Sequence, residues 1–272
     1  MGTDAKVKLQ VQIAVFGEDG MKRVLEHRHP RVEGVRYLVS WQMPEGEATV
    51  PEDISRREDF DVIISNDRGL ARNRNHALDY ECDSEYALLA DDDVDYSEEG
   101  LKKVIQGFEE HPAADILCFR YRCNGKYVKN YGEGKMDVKR PPFGWYPTTF
   151  EIAYRRKSLG KVRFNENMGI GSGKLVAGED TVWFYDMLKS GANGWILPLD
   201  ICEHNQSTTG ERCAREPEFL EAQGAILTHI KPKTWIPRVI LMACRSELPF
   251  FTSLRYITKG ARRAFREHLF RD

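Results

Sequence analysis

The chain has few of the features that would place it in a specialised class. Its six cysteines, at positions 82, 118, 123, 202, 213 and 244, include no Cys-x-x-Cys pair and fall short of the density of a small secreted scaffold. They read as reduced thiols of a cytoplasmic protein. No apolar run approaches the roughly 18 to 20 residues needed to span a bilayer, and no N-terminal segment has a signal-peptide core, so the expectation is a soluble or peripheral protein. Internal repeats and low-complexity linkers are also missing. Charge of one sign is not in excess: 40 Lys and Arg face 42 Asp and Glu, a net charge of -2, which provides no general attraction to nucleic acid.

What the chain does have is enough length, 272 residues, for one large α/β domain or two small ones. Apolar runs bounded by turn residues predict strands over Leu9 to Phe16, Val35 to Trp41, Asp61 to Ser65, Tyr86 to Ala90 and Ile116 to Arg120. Helical patterns lie between them, at Gly20 to His27, Gly69 to Asp79 with a cap at Asn66 or Asp67, and after Ser97. Alternating strands and helices imply a mainly parallel sheet with helices on both faces. Beyond it, 124–147 reads as a long loop rich in Gly, Lys and Pro. Strand character resumes at Phe150 to Tyr154 and Gly194 to Leu197, with a helix over Gly178 to Lys189 between them.

Charge is concentrated at two places. The strand Tyr86-Ala-Leu-Leu-Ala ends in Asp91, Asp92 and Asp93, three carboxylates that repel one another. In an open α/β sheet ligands bind at the strand ends, so such carboxylates can face a cation and the phosphate it carries. An acidic cluster between a strand and a helix is usually a solvated helix start, and here Ser97, Glu98 and Glu99 open the next helix. Calcium-loop spacing fails, because Tyr96 stands where that loop needs glycine and Lys102 where it needs glutamate. The Asp-Asp-x-x-Asp of prenyl-diphosphate enzymes belongs on a helix, not after a strand. What remains is Asp-x-Asp, Asp91 and Asp93, at the edge of a nucleotide site. The second concentration is the C-terminus: from 231 onward ten basic residues face three acidic ones, a basic tail on an acidic body.

Two stretches of the second half carry further candidates. Asn167-Met-Gly-Ile-Gly-Ser-Gly-Lys174 has glycines that permit close backbone approach to a ligand, and Gly178-Glu179-Asp180 follows, where the acids either cap a helix or do chemistry. His204 stands just beyond a strand in Cys202-Glu-His-Asn-Gln-Ser-Thr-Thr-Gly210.

Taken in order, Gly69-Leu-Ala-Arg-Asn-Arg-Asn-His-Ala, Leu89-Ala-Asp-Asp-Asp-Val, Phe150-Glu-Ile-Ala-Tyr-Arg-Arg, Gly178-Glu-Asp and His204 with Ser-Thr-Thr-Gly resemble the family 2 glycosyltransferases of the GT-A fold, over about Leu9 to Gly210. The set looks most like the bacterial capsule and O-antigen branch. The resemblance implies a Rossmann-like GT-A domain over 1–230, with a nucleotide-sugar half at about 1–120 and an acceptor half at about 121–230. A basic amphipathic helical extension over 231–272 would follow it. It implies that Asp93 holds a divalent metal, Mn²⁺ or Mg²⁺, that Asp91 shares it or contacts the ribose, and that Asp92 orients them. Arg74 and Asn75 would line the nucleotide pocket, together with Phe16 and Gly17 after the first strand and Asn66 after the third. His204 would be a further metal or diphosphate contact. Asp180 would be the general base of an inverting transfer, with Glu179 beside the acceptor. The donor would be a nucleotide-diphosphate sugar, a UDP-sugar favoured, and the acceptor a glycan or lipid-linked glycan of a surface polysaccharide. The second strand departs from the family: it ends in Val39-Ser-Trp-Gln42 where relatives carry an acidic turn, and Trp41 reads as a core residue or a base-stacking one.

In the tail, Leu254, Ile257, Ala261, Ala264 or Phe265, and His268 or Leu269 recur at helical spacing, with Arg255, Lys259, Arg262, Arg263 and Arg266 largely elsewhere. Such a helix either lies on an anionic membrane at the inner face of the cell membrane or packs on the domain; Gly260 weakens its continuity. Two rival functions remain. A nucleotidyltransferase would show a Gly-rich basic loop after the first strand, where Phe16-Gly-Glu-Asp-Gly20 is acidic. A carbohydrate- or nucleotide-binding module would bind without turnover.

Overall fold

Tight alternation of buried strands and amphipathic helices builds a single mixed sheet of nine strands among the described residues, which are 7–205 and 216–270 of this computed structural model. The Ser207-Thr-Thr-Gly210 part of the C-terminal motif and Cys213 lie outside them. The five described cysteines are free thiols.

The first four long strands are β1 (Leu9–Phe16), β2 (Val35–Gln42), β3 (Phe60–Ser65) and β4 (Tyr86–Asp91). They run parallel in the order β3-β2-β1-β4. A parallel sheet is covered on both faces, which is why β1 is buried from Leu9 to Val15 although its sequence alternates Leu-Gln-Val-Gln-Ile. The two glutamines are satisfied inside: Gln12 donates to Gln10 Oε1 and to the Ala77 carbonyl, and accepts from the Tyr154 hydroxyl. Helices α1 (Gly17–Glu26), α2 (Glu52–Ser55) and α3 (Leu70–Asp79) connect these strands. Trp41 is buried, and its indole N–H donates to the Gly17 carbonyl at 2.8 Å, so it fills the core and fixes the turn after β1.

After β4 the chain makes the short β5 (Asp95–Tyr96) and α4 (Glu98–Glu110), whose Ser97 cap accepts from Gly100 N–H as expected. Next come β6 (Ile116–Arg122), β7 (Met136–Asp137), β8 (Ile152–Arg155), α5 (Glu179–Lys189) and β9 (Gly194–Glu203). The sheet continues β4-β8-β6-β9-β5, with β8 antiparallel to both neighbours and β7 paired to β9. The two-residue β7 sits inside the predicted 124–147 loop, and β9 extends beyond Leu197, because pairing with β5, β6 and β7 recruits residues that carry no strand signal of their own.

Helix α3 begins at Leu70, after Gly69, and not at a cap on Asn66 or Asp67. Asp67 instead accepts from Gln42 and Ser65 and faces His76 at 3.3 Å, tying the ends of β2 and β3 to α3.

The sheet and its helices fall in one compact unit, drawn from Met1–Asp67, Asn73–Val162 and Asp186–Gln206; a second is drawn from Arg68–Arg72, Arg163–Tyr185 and Ser207–Asp272. In the second unit α6 (Pro217–Ile230), α7 (Trp235–Arg245) and α8 (Phe250–Arg266) form a helical cluster. The boundary expected at 230 runs through this cluster, since α6 packs on α8. Gly260 does not interrupt α8. It is the contact point: a Cβ there would run into the Glu221 carbonyl of α6, and one at Gly224 would run into the Ile257 carbonyl of α8. Ile257, Ala261 and Ala264 are buried beside it, so the small and apolar stripe read from the sequence is spent on α6. Gly260→Ala is therefore expected to lower stability by about 1–3 kcal/mol, measured by urea unfolding, although alanine is the better helix former. Unchanged or increased stability would show that α6 and α8 do not approach this closely.

Candidate functional site

The acidic cluster lies where the first unit's parallel strands end. Asp91 is the last residue of β4 and pairs in register with Ala14 of β1, so its carboxylate emerges at the C-terminal edge of the sheet. Asp92 and Asp93 form the turn that follows. The next two residues, Asp95 and Tyr96, pair antiparallel with Glu203 and Cys202 of β9. Continuing that register sets His204 against the turn, and its Nε2 lies 3.3 Å from Asp93 Oδ1. The imidazole is buried and stacked on Phe150, with centroids 4.9 Å apart, and its backbone N–H donates to the Arg122 carbonyl.

The three carboxylates have different partners. Asp91 accepts from Arg74 Nη2 at 2.8 Å, and the Arg74 side chain is buried. Asp92 is clamped by Arg23 of α1 through two bonds of 2.9 and 2.8 Å. Burial pushes the Asp92 carboxyl up to about 6; Arg23 opposes the rise, while Asp91 and Asp93 add to it. Burial also acts upward on Asp93, but the hydrogen bond and charge of His204, with Arg23, outweigh it and hold that carboxyl below its ordinary value. Both oxygens of Asp92, expected to orient what its neighbours hold, are bound to Arg23, and a Cβ at Gly20 would stand 2.7 Å from Oδ2.

Asp93 and His204 are therefore the adjacent pair of donors, with Asp91 next along the chain. Among the described residues no group of three or more His, Cys, Asp or Glu is arranged to hold an ion unaided. The donor set nevertheless suits a divalent cation that brings its own ligands, because Mg²⁺ characteristically takes one or two protein groups and completes its shell with phosphate oxygens and water. Around this edge Asn75 is buried, Phe16 is half exposed, Gly17 opens α1 at φ +64° and Asn66 is exposed at the end of β3.

Three contributors had no sequence signal strong enough to single them out. Arg23 is one of two basic residues, with Lys22, on an ordinary amphipathic helix. Asn73 donates to the Val15 carbonyl at 2.8 Å and accepts, through its own carbonyl, from Ser40, anchoring α3 to β1 and β2. The third is the Lys129–Glu151 ion pair, both side chains fully buried, which ties the 124–147 loop to the segment carrying Phe150. Lys129 also donates to the Tyr146 carbonyl and to Thr148 Oγ1, at 2.6 and 2.7 Å, and Tyr131 donates to Glu151 Oε2 at 2.7 Å.

Glu179 and Asp180 open α5 in the second unit. Glu179 is buried against Gly169, and Asp180 is partly exposed, with Oδ1 accepting from the Thr181 N–H at 2.6 Å. The glycines of 167–174 serve the chain itself. Gly171 lies against Gly69, where an added Cβ would stand 3.2 Å from its Cα, and Leu70 N–H donates to the Ile170 carbonyl at 2.9 Å. The residues named for the donor side fall within the first unit, and Glu179 and Asp180 within the second.

Comparison with known proteins gives one family match. Residues 50–176 match the family described as Glycosyl transferase family 2. No curated protein matches the chain. Among solved structures, the crystal structure of S. aureus TarS 1–349 is similar, with a TM-score of 0.58 and 16% identity, covering 95% of this chain and 72% of that one. The same protein in complex with UDP-GlcNAc has a TM-score of 0.59 and 16% identity over 95% and 73% of the two chains. In complex with UDP it has a TM-score of 0.56 and 15% identity over 95% and 72%. At this identity the likeness shows a shared GT-A fold.

Proposed function

We propose that the chain, whose residues 50–176 match Glycosyl transferase family 2, is a metal-dependent, inverting glycosyltransferase moving a sugar from a nucleotide-diphosphate donor to a glycan or lipid-linked glycan. The observation that carries this reading is the Asp93–His204 pair at the C-terminal edge of the sheet, with the Asp91–Arg74 pair two residues back along the chain. Asp93 and His204 would hold Mn²⁺ or Mg²⁺, which when bound supplies neutralisation of the charge on the donor's diphosphate. Arg74 keeps Asp91 oriented, so that its second oxygen can accept from a ribose hydroxyl or join the metal. The turn at Phe16 and Gly17 and the exposed Asn66 border the space for the base, with Asn75 behind them. UDP is the favoured nucleotide, supported by the UDP-GlcNAc and UDP complexes of the similar TarS fold.

Transfer forms a bond between an acceptor oxygen and the anomeric carbon while the bond from that carbon to the diphosphate oxygen breaks. The acceptor hydroxyl must give up its proton, and the Asp180 carboxylate takes it as general base, with Glu179 beside the acceptor. Attack from the face opposite the leaving group converts an α-linked donor into a β-glycoside. Assembly of a surface polysaccharide is the pathway this chemistry fits.

Calorimetric titration with a panel of nucleoside diphosphates, with and without Mn²⁺, tests the donor site. One nucleotide, UDP first, is expected to bind only when the metal is present, and Asp93→Ala is expected to weaken that binding by at least about tenfold. Binding indifferent to both metal and substitution would return the cluster to a solvated turn.

A further inference from the structure

Helices α7 and α8 carry an outward face for which the transfer reaction has no use. Packing on α6 consumes Ile257, Gly260, Ala261 and Ala264, yet large apolar side chains remain in solvent on the opposite side of α8: Phe251 is 81% exposed and Phe265 58%. On α7, Ile236 is 60% exposed, with Ile240 and Leu241 about half exposed. The two outer surfaces meet where the rings of Trp235 and Phe265 lie 6.0 Å apart. Along α8 runs a groove of about 570 Å³ lined by Phe251, Leu254, Arg255, Lys259, Arg262 and Arg266 among others. Arg255 and Arg262 are exposed and have no acidic partner among the described residues, whereas Lys259 and Arg263 reach Glu221, and Arg266 reaches Glu267. From 231 to 270 only Glu247 and Glu267 oppose nine basic residues.

We propose that this α7–α8 face docks on an anionic lipid bilayer, with headgroup phosphates in the arginine groove and the exposed apolar side chains in the interfacial layer. The argument is complementarity of two kinds on one surface. Clustered guanidinium groups are attracted to the negative potential of anionic lipids, and their bidentate geometry suits phosphate oxygens. A soluble polyanion would satisfy those cations but offers nothing to the five exposed apolar side chains, which water penalises and an interface accepts. No helix among the described residues is long and apolar enough to cross a membrane, so the contact lies on the surface and does not span. The face that docks is not the regular apolar stripe of α8, which α6 already covers, but its arginine-rich opposite side together with α7. This inference goes beyond the transferase reading and needs no donor, so the two can fail separately.

Co-sedimentation of the full chain, without nucleotide, with vesicles of phosphatidylcholine alone or mixed with phosphatidylglycerol tests it. The chain is expected to partition onto the mixed vesicles, less so as salt rises, and to ignore the neutral ones. Arg255→Gln with Arg262→Gln removes two cations and is expected to weaken partition about thirtyfold. Phe251→Ser with Phe265→Ser, or Ile236→Ser with Leu241→Ser, is expected to weaken it while circular dichroism stays unchanged. The proposal is overturned if the wild type fails to sediment with mixed vesicles, or if the glutamine pair binds as the wild type does. It is equally overturned if soluble polyphosphate binds the wild type while both serine pairs leave vesicle partition unaltered, since the groove would then serve a polyanion in solution.

Discussion

Asp180→Asn is expected to lower kcat by about a hundredfold to ten-thousandfold while donor affinity stays at the wild-type value. The size follows from the role: a positioned general base contributes roughly 10² to 10⁴ to proton transfer, and an amide of the same shape cannot accept the proton. The substitution is mild for the fold. Asp180 is partly exposed in the first turn of α5, where a carboxylate's interaction with the helix N-terminus is worth about 0.3–1 kcal/mol, and the asparagine oxygen can still accept from the Thr181 N–H. Loss of turnover therefore cannot be charged to unfolding. Steady-state transfer to a saturating acceptor and calorimetric donor binding, measured on the same preparation, separate the outcomes. A kcat within about tenfold of wild type would remove Asp180 from the role of base. A binding-only module would show no turnover in either protein.

The second large effect is on stability. Lys129→Met is expected to cost about 3–5 kcal/mol, because it leaves the fully buried Glu151 carboxylate without its countercharge. In the wild type Lys129 sits among the rings of Tyr121, Tyr131, Trp145 and Tyr146, 4.5 to 5.6 Å from their centroids, and holds one oxygen of Glu151 while Tyr131 holds the other. Burial raises the Glu151 carboxyl, and Lys129 and Tyr131 act against the rise. Without Lys129 the rise is larger. A native state with a raised carboxyl binds more protons than the unfolded chain, so stability falls as pH climbs through that window. The deficit of Lys129→Met is thus greatest at neutral pH and shrinks on acidification. Lys129→Met combined with Glu151→Met is expected to recover most of the loss, because a buried pair and apolar groups of similar size are often near equivalent. Urea unfolding of the four proteins gives the coupling directly, and additive losses would refute it. Phe150, next to Glu151, carries the ring on which His204 stacks, so the single variant should also weaken metal-dependent nucleotide binding.

How much of this was legible beforehand varied with the range of the interaction. The parallel strands β1 to β4 could be read closely because each is rich in apolar residues and ended by polar or turn residues, although β1 interleaves two glutamines and the edge strand β3 is only partly buried. The Ser97 cap was legible for the same local reason. Asp91 and Asp93 could be named as candidates, since three carboxylates after a strand are conspicuous in any sequence. Their division of labour could not. Asp92 goes to Arg23 because α1 crosses beside the turn, and Asp93 meets His204 because β5 pairs with β9. Neither contact has a local signature.

The same limit held at the C-terminus. The helical period of 253–270 was visible, but not which side would be covered; Gly260, which on propensity alone argued against a continuous helix, is what lets α6 approach and leaves the arginines outward. By itself, then, the sequence determined the strands and helices, the edge of the sheet on which the acids gather, and the family motifs in their order, because apolar periodicity and capping act within a few residues. Only the tertiary structure decided which carboxylate faces His204, which is neutralised by an arginine, and which helix face stays in solvent. Those outcomes depend on desolvation and close approach between segments far apart in the chain.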